Sequence, residues 1–200
     1  MTVLDVRFSD WIQKGLQLFL ANALLLMLCG LVAVAISAIT LGLLSGPMMA
    51  GMAVVILTIM DERLARPTIN DLFKGFNYFK ETLPVTLALY ALAFASIMLQ
   101  FIPLIGQIVT WVVFSVVNGL AIMSIFHLVA RKIPPVKSAQ SWVDLFKMNW
   151  GPLMGFFILS SIIGGAGVLF LGIGIAVTLP IHICILGVAY VAINAQTAAL

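Results

Sequence analysis

The stretch P-T-I-N-D-L-F-K-G-F-N-Y-F-K, residues 67–80, lies between two long segments that carry no charge. Ile69, Leu72, Phe73, Phe76 and Phe79 recur at helical spacing, while Asn70, Asp71, Lys74, Asn77 and Lys80 fall largely on the other side. This pattern predicts an amphipathic helix lying in a membrane interface, its aromatic rings among lipid and its lysines toward water.

The flanks set the class. Residues 15–60, 82–130 and 148–200 are uncharged runs of 46, 49 and 53 residues. A spanning helix needs about 20 residues to cross about 30 Å of hydrocarbon, so each run has room for two helices and a tight turn. Composition agrees: the 200-residue chain is 63% hydrophobic and 8% charged, against about 25% charged in soluble domains. The expected fold is an all-α membrane protein with six transmembrane helices in a single domain over residues 1–200. Residues 15–38 read as a retained first helix, since the apolar run exceeds the roughly 7–15 residues of a signal peptide's core.

All ten Lys and Arg lie in the N-terminal segment or in the two connections between hairpins. The opposite turns, near residues 40–45, 102–107 and 170–178, carry none. The positive-inside rule therefore places both termini in the cytoplasm. A net charge of +3 on such a face reads as orientation and attraction to lipid headgroups, and nucleic acid is set aside as a partner.

The opening stretch has relatives within the chain. Lys14-Gly15 and Phe19 match Lys74-Gly75 and Phe79 at an offset of 60, and Asp144-Leu145-Phe146-Lys147 matches Asp71-Leu72-Phe73-Lys74 at an offset of 73. Asn22, Thr82 and Asn149 then stand where each interfacial helix meets its spanning helix. In the returning helices, Gly51-Met-Ala53, Gly119-Leu-Ala121 and Gly187-Val-Ala189 are spaced 68 residues apart both times. Three tandem units follow, about 8–66, 67–135 and 136–200, each an interfacial helix plus a helical hairpin. An even number of crossings makes the units parallel, so their expected relation is pseudo-threefold about the membrane normal. Pro67-Thr68 with Asp71, and Ser138 or Ser141 with Asp144, resemble capping boxes at helix starts. Gly42 and Gly46, and Gly151 and Gly155, have G-x-x-x-G spacing and predict close helix packing within the chain, or a homo-oligomer contact.

Candidate chemistry is sparse. No Asp, Glu, Lys or Arg lies deep in a run, and no nucleophile-elbow or zinc-protease motif is present, so the chain is read as non-enzymatic and without cofactor. The intramembrane polar residues are Gln100, Gln107, Asn118, His127, His182 and Asn194; of these Asn118 and His182 are the candidate pathway residues. His182 and Cys184 after Pro180 are two soft ligands, too few to specify a metal. Pro180 itself is a candidate break in its helix. The expected interfacial anchors are Trp11, Phe73, Phe76, Phe79, Trp142 and Phe146, and the expected helix-packing residues are Gly51, Ala53, Gly119, Ala121, Gly187 and Ala189.

Gly46-Pro47-Met-Met-Ala-Gly51, followed by Asp71-Leu72-Phe73-Lys74-Gly75-Phe76, resembles uncharacterised bacterial integral membrane proteins with a G-P-x-x-x-G helix and a D-L-F-x-G-F loop. The resemblance covers the first two units. In the third, Lys147 continues into Met148-Asn149 without the Gly-Phe. It implies a multi-pass protein of a bacterial inner membrane and carries over no catalytic residue. Two functions are expected from these features: a non-enzymatic protein that organises envelope lipids or scaffolds a membrane partner, or a passive carrier or channel for a weakly polar or lipid-like solute.

Overall fold

The computed structural model describes residues 4–61, 63–99, 102, 104–133, 135–169 and 174–198. Gln100, Pro103 and residues 170–173 of the expected third turn lie outside them. The described chain is helical with no strand: α1 (Phe8–Ala21), α2 (Ala23–Ile39), α3 (Ser45–Met60), α4 (Ile69–Leu72) running into a 3-10 helix (Phe73–Tyr78), α5 (Phe79–Leu99), α6 (Ile105–Arg131), α7 (Pro135–Met148), α8 (Trp150–Gly165) with a 3-10 extension (Ala166–Leu169), and α9 (Ile175–Ala198). Helices α6 and α9 are long and apolar enough to cross a membrane, and α1 with α2 would make a third span if that pair, bent by 93°, is counted as one. Helices α3 and α8 are apolar but have only 16 residues each. Large apolar side chains face outward on several helices, among them Leu24 at 76%, Phe94 at 73% and Trp150 at 62% exposure. So much exposed hydrocarbon suits a lipid surround.

Helices α3, α6 and α9 touch one another at the centre. Around them α2 fits against α9 and α3, α5 against α3 and α6, and α8 against α6 and α9. The short amphipathic helices lie on the bundle as well: α1 packs on α9, α4 with its 3-10 helix on α3, and α7 on α6.

Glycine decides how closely two of these short helices approach. A Cβ on Gly15 would fall 2.6 Å from the Ile185 Cα of α9, and one on Gly75 would fall 2.0 Å from the Pro47 carbonyl oxygen of α3. These are the two glycines that follow lysine at an offset of 60. Where α7 has Met148 instead, contact with α6 comes from Ser138, whose buried hydroxyl donates to the Ser124 carbonyl at 2.9 Å. Ser138 and Ser141 are therefore not the caps expected of them. Helix α7 starts earlier, at Pro135, a residue that costs the first helical turn no hydrogen bond.

The elbows between short and long helices are polar in each case. Asn22 Nδ2 donates to the Leu18 carbonyl at 3.1 Å, Asn149 Nδ2 to Leu145 at 3.2 Å, and the Thr82 hydroxyl to Tyr78 at 2.9 Å. Asn22 and Asn149 also share a backbone shape, φ −129° with ψ 26° and 35°, so the chain turns out of each helix with its last carbonyls satisfied. The second unit bends differently. Its turn is made by the 3-10 helix before Thr82, which lies inside α5.

The Thr68–Asp71 capping box is present: the Thr68 backbone N–H donates to Asp71 Oδ2 at 2.6 Å. The ion pair with Lys74, then the hydrogen bonds from Thr68, hold the Asp71 carboxyl below its ordinary value. A depressed carboxylate stabilises the fold above its unfolded pKa of about 4 and loses that contribution as pH falls through the folded value. Asp71→Asn is expected to destabilise the detergent-solubilised protein by about 1 kcal/mol at pH 7, and the difference from wild type should begin to shrink near pH 4 and vanish only below the depressed folded value. Thermal unfolding across this pH range checks both.

The first turn has its own lock. Leu41 and Gly42 have φ of 50° and 80°, and the Tyr90 hydroxyl of α5 donates to the Leu41 carbonyl at 2.8 Å. Gly42 is thus a turn residue, not one half of a packing stripe, and a Cβ there would collide with the Tyr90 hydroxyl. Gly46 alone of that pair packs on a helix, against Thr86 and Thr82. Tyr90→Phe is expected to cost about 1 kcal/mol through the lost hydrogen bond. Gly42→Ala should cost more, because it adds left-handed strain to the collision. Unfolding in detergent ranks the two.

Pro180 does not break its helix. Helix α9 continues through it, and the groove it needs is cut by Gly30 of α2, where a Cβ would fall 2.5 Å from both Pro180 Cγ and the Ala176 carbonyl oxygen. That carbonyl is the one a proline four residues on leaves without its helical donor.

Candidate functional site: a two-part cavity at the uncharged end

Sequence places every charged connection at one end of the helical hairpins, and the two ends of the bundle are packed differently. On the charged side of mid-bundle the three central helices close on one another in one layer, beyond which the same helices line an open cleft of about 640 Å³ with Asp61 and Arg63. A Cβ on Gly187 of α9 would fall 2.9 Å from Ile56 of α3 and 3.0 Å from Phe126 of α6, and Ile56 and Phe126 are fully buried. The other G-x-A motifs have separate partners: Gly51 faces the Leu72 carbonyl of α4, and Gly119 faces the Phe157 ring of α8. Ala53 and Ala189 are fully buried, but Ala121 lines a cavity.

That cavity, about 490 Å³, lies toward the uncharged end between α2, α3, α5 and α6, with Leu179 of α9 on its wall. It exists because the facing residues are small: Ala33, Ala38, Gly46, Ala93 and Ala121 leave space that leucines would fill. Its lining is mostly hydrocarbon. The polar members are Ser37, Ser45, Thr86, Tyr90 and Asn118, and of these Thr86 bonds to the Thr82 carbonyl and Tyr90 to Leu41.

A second cavity of about 250 Å³ adjoins the first and shares Phe114, Asn118 and Leu179 with it. It is more polar for its size, with Ser115, Ser161 and His182 besides Asn118. The two intramembrane polar residues singled out in the sequence therefore meet on one cavity. His182 is 4% exposed. Its Nδ1 lies 2.9 Å from the Ser160 carbonyl oxygen and 2.8 Å from Ser160 Oγ. A carbonyl only accepts, so Nδ1 carries a proton, and in the neutral imidazole Nε2 is left as an acceptor. Gly164 makes room for the ring, since a Cβ there would sit 2.9 Å from His182 Cγ. The Thr178 hydroxyl, donating to the Gly164 carbonyl at 2.7 Å, ties the two helices just beyond. No charged side chain lines either cavity among the described residues.

The expected anchors divide. Phe73 and Phe76 are outward-facing, 42% and 38% exposed, and stack on each other at 6.4 Å, while Phe79 is half-buried. Trp11 and Trp142 are instead inside the protein, 3% and 4% exposed. Trp11 meets Phe156 edge-on at 5.1 Å, Trp142 forms a three-ring cluster with His127 and Tyr190, and half-buried Phe146 stacks on Phe157. These three hold α1 and α7 to the bundle rather than to lipid. Tyr90 and Thr86 gave no functional signal in the sequence beyond a hydroxyl inside an apolar run, and Ser161, next to Ser160, stood out only as a hydroxyl without a convincing base to activate it.

Comparison with models of known protein families, with curated proteins and with solved structures finds no match to this chain.

Proposed function

We propose that the chain is a non-enzymatic, multi-pass protein of a bacterial inner membrane that holds one lipid-like molecule in the apolar cavity, as part of organising envelope lipid. The observation that carries this reading is the cavity itself. Its volume of about 490 Å³ falls within the range of about 300–1,000 Å³ typical of small-molecule sites, and its lining of alkyl and aromatic groups with a few hydroxyls matches a hydrocarbon chain. Packing of Gly187 against Ile56 and Phe126 on the charged side of mid-bundle argues for a blind pocket over a continuous pore.

In this reading α2, α3, α5, α6, α8 and α9 are six crossings in three units, with the termini and the charged connections in the cytoplasm. Support comes from the way each short helix packs on the last helix of the unit before it, α4 on α3, α7 on α6, and α1 on α9. The 16-residue crossings α3 and α8 imply local thinning of the bilayer around them.

A nitroxide-labelled fatty acid methyl ester tests the assignment. Added to the purified protein, it should give an immobilised spectral component that saturates near one probe per chain. A component that grows in proportion to probe without saturating would describe ordinary boundary lipid and overturn the reading.

A further inference from the structure

The smaller cavity specifies the head of the ligand, an inference that rests on the larger one holding its hydrocarbon. We propose that Asn118, His182 and Ser161 form a subsite for the hydroxyl of an uncharged long-chain alcohol, its tail running past Phe114 and Leu179 into the larger cavity. Three observations converge. His182 is pinned through Nδ1 to Ser160, so the group it has left to offer is the acceptor Nε2, which needs a donor. The Asn118 side chain, on the wall between the cavities, makes no hydrogen bond to another described residue. The Ser161 hydroxyl is sealed from solvent and has no partner among the described residues, a state that buried polar groups seldom keep.

The charge balance argues against an anionic group at this subsite. A carboxylate or phosphodiester group brings no donor for Nε2, and it would be a buried anion with no cation on either lining among the described residues. A hydroxyl both donates and accepts, so one oxygen can serve His182 and either Asn118 or Ser161. Such a hydroxyl is found on isoprenoid alcohols and on mono- or diacylglycerols.

Trp111 lines the smaller cavity and supplies the readout. Dibromostearyl alcohol, dibromostearate and dibromooctadecane are titrated at pH 8 into the detergent-solubilised full chain, and site-specific quenching is the part lost in Trp111→Phe. The alcohol is expected to bind at least tenfold more tightly than the other two. Asn118→Leu should bring it to the level of dibromooctadecane. Ser161→Ala, which removes only an unpartnered hydroxyl, should weaken alcohol binding several-fold without loss of thermal stability, and so guards against a misfolded Asn118 variant. Equal binding of alcohol and octadecane would overturn the head-group assignment and leave the apolar site standing. Tighter binding of stearate, or an alcohol preference that survives both substitutions, would overturn it too. If none of the three quenches, both readings fall. Displacement of the alcohol by farnesol or by monoolein identifies the isoprenoid or the glyceride as its source.

Discussion

Gly75→Ala is expected to lower the stability of the solubilised protein by about 3 kcal/mol, the upper end of what overpacking costs. The added methyl would meet backbone, not a side chain that can turn away: the Pro47 carbonyl oxygen at 2.0 Å and the Gly51 nitrogen at 2.4 Å. Relief requires moving the 3-10 helix off α3, which uncovers Leu72, now fully buried. Gly51→Ala should behave alike, because its Cβ would fall 1.9 Å from the Leu72 carbonyl oxygen on the other side of the same contact. Gly151 and Gly165 have open space where a Cβ would go, so alanine at either should be neutral, or stabilising by up to about 1 kcal/mol through helix propensity. Unfolding curves for the four variants in one detergent make the comparison. Equal effects at all four positions would mean that glycine matters here through backbone freedom alone.

The second large effect concerns the cavity. Ala121→Phe introduces a ring where Ala121 now borders open volume between α3, α5 and α6. Binding of the nitroxide ester should fall at least tenfold, while stability changes by less than about 1 kcal/mol, since filling a void gains contacts as readily as it strains neighbours. Ala93→Phe, approaching the same space from α5, should reproduce the loss and separate occupation of the cavity from a local effect on α6. Unimpaired binding in both variants would place the probe elsewhere on the protein.

How much of this was legible in the sequence depends on range. Local rules worked where neighbours in the chain decide the outcome. Thr68 with Asp71 made a cap, Asn22, Thr82 and Asn149 took up the elbow carbonyls, and helices formed in the uncharged runs. The lysine-glycine pairs led to Gly15 and Gly75, both of which lie against backbone of a central helix. Amphipathic patterning could not say what an apolar face would meet. It assigned Trp11 and Trp142 to lipid because the period is the same whether the neighbour is an acyl chain or Phe156 and Tyr190. Ser138 was misread for a related reason, since its partner Ser124 belongs to another helix. Shared G-x-A spacing likewise did not imply a shared role: Gly51, Gly119 and Gly187 each accommodate a different element. The cavity was least accessible of all, because empty volume arises from the sizes of side chains on five helices at once. Asn118 and His182 were recognisable together as candidate pathway residues in apolar helices, but nothing in the sequence showed which side chains would line the space between them.

Native mass spectrometry of the protein released directly from its membrane measures whether the cavity holds a single lipid-like molecule. Wild type is predicted to carry one adduct of constant mass, about one per chain, that Ala121→Phe and Ala93→Phe both lose while remaining folded. A bare wild-type chain, or a ladder of ordinary phospholipid adducts identical in wild type and the filled variants, would contradict it.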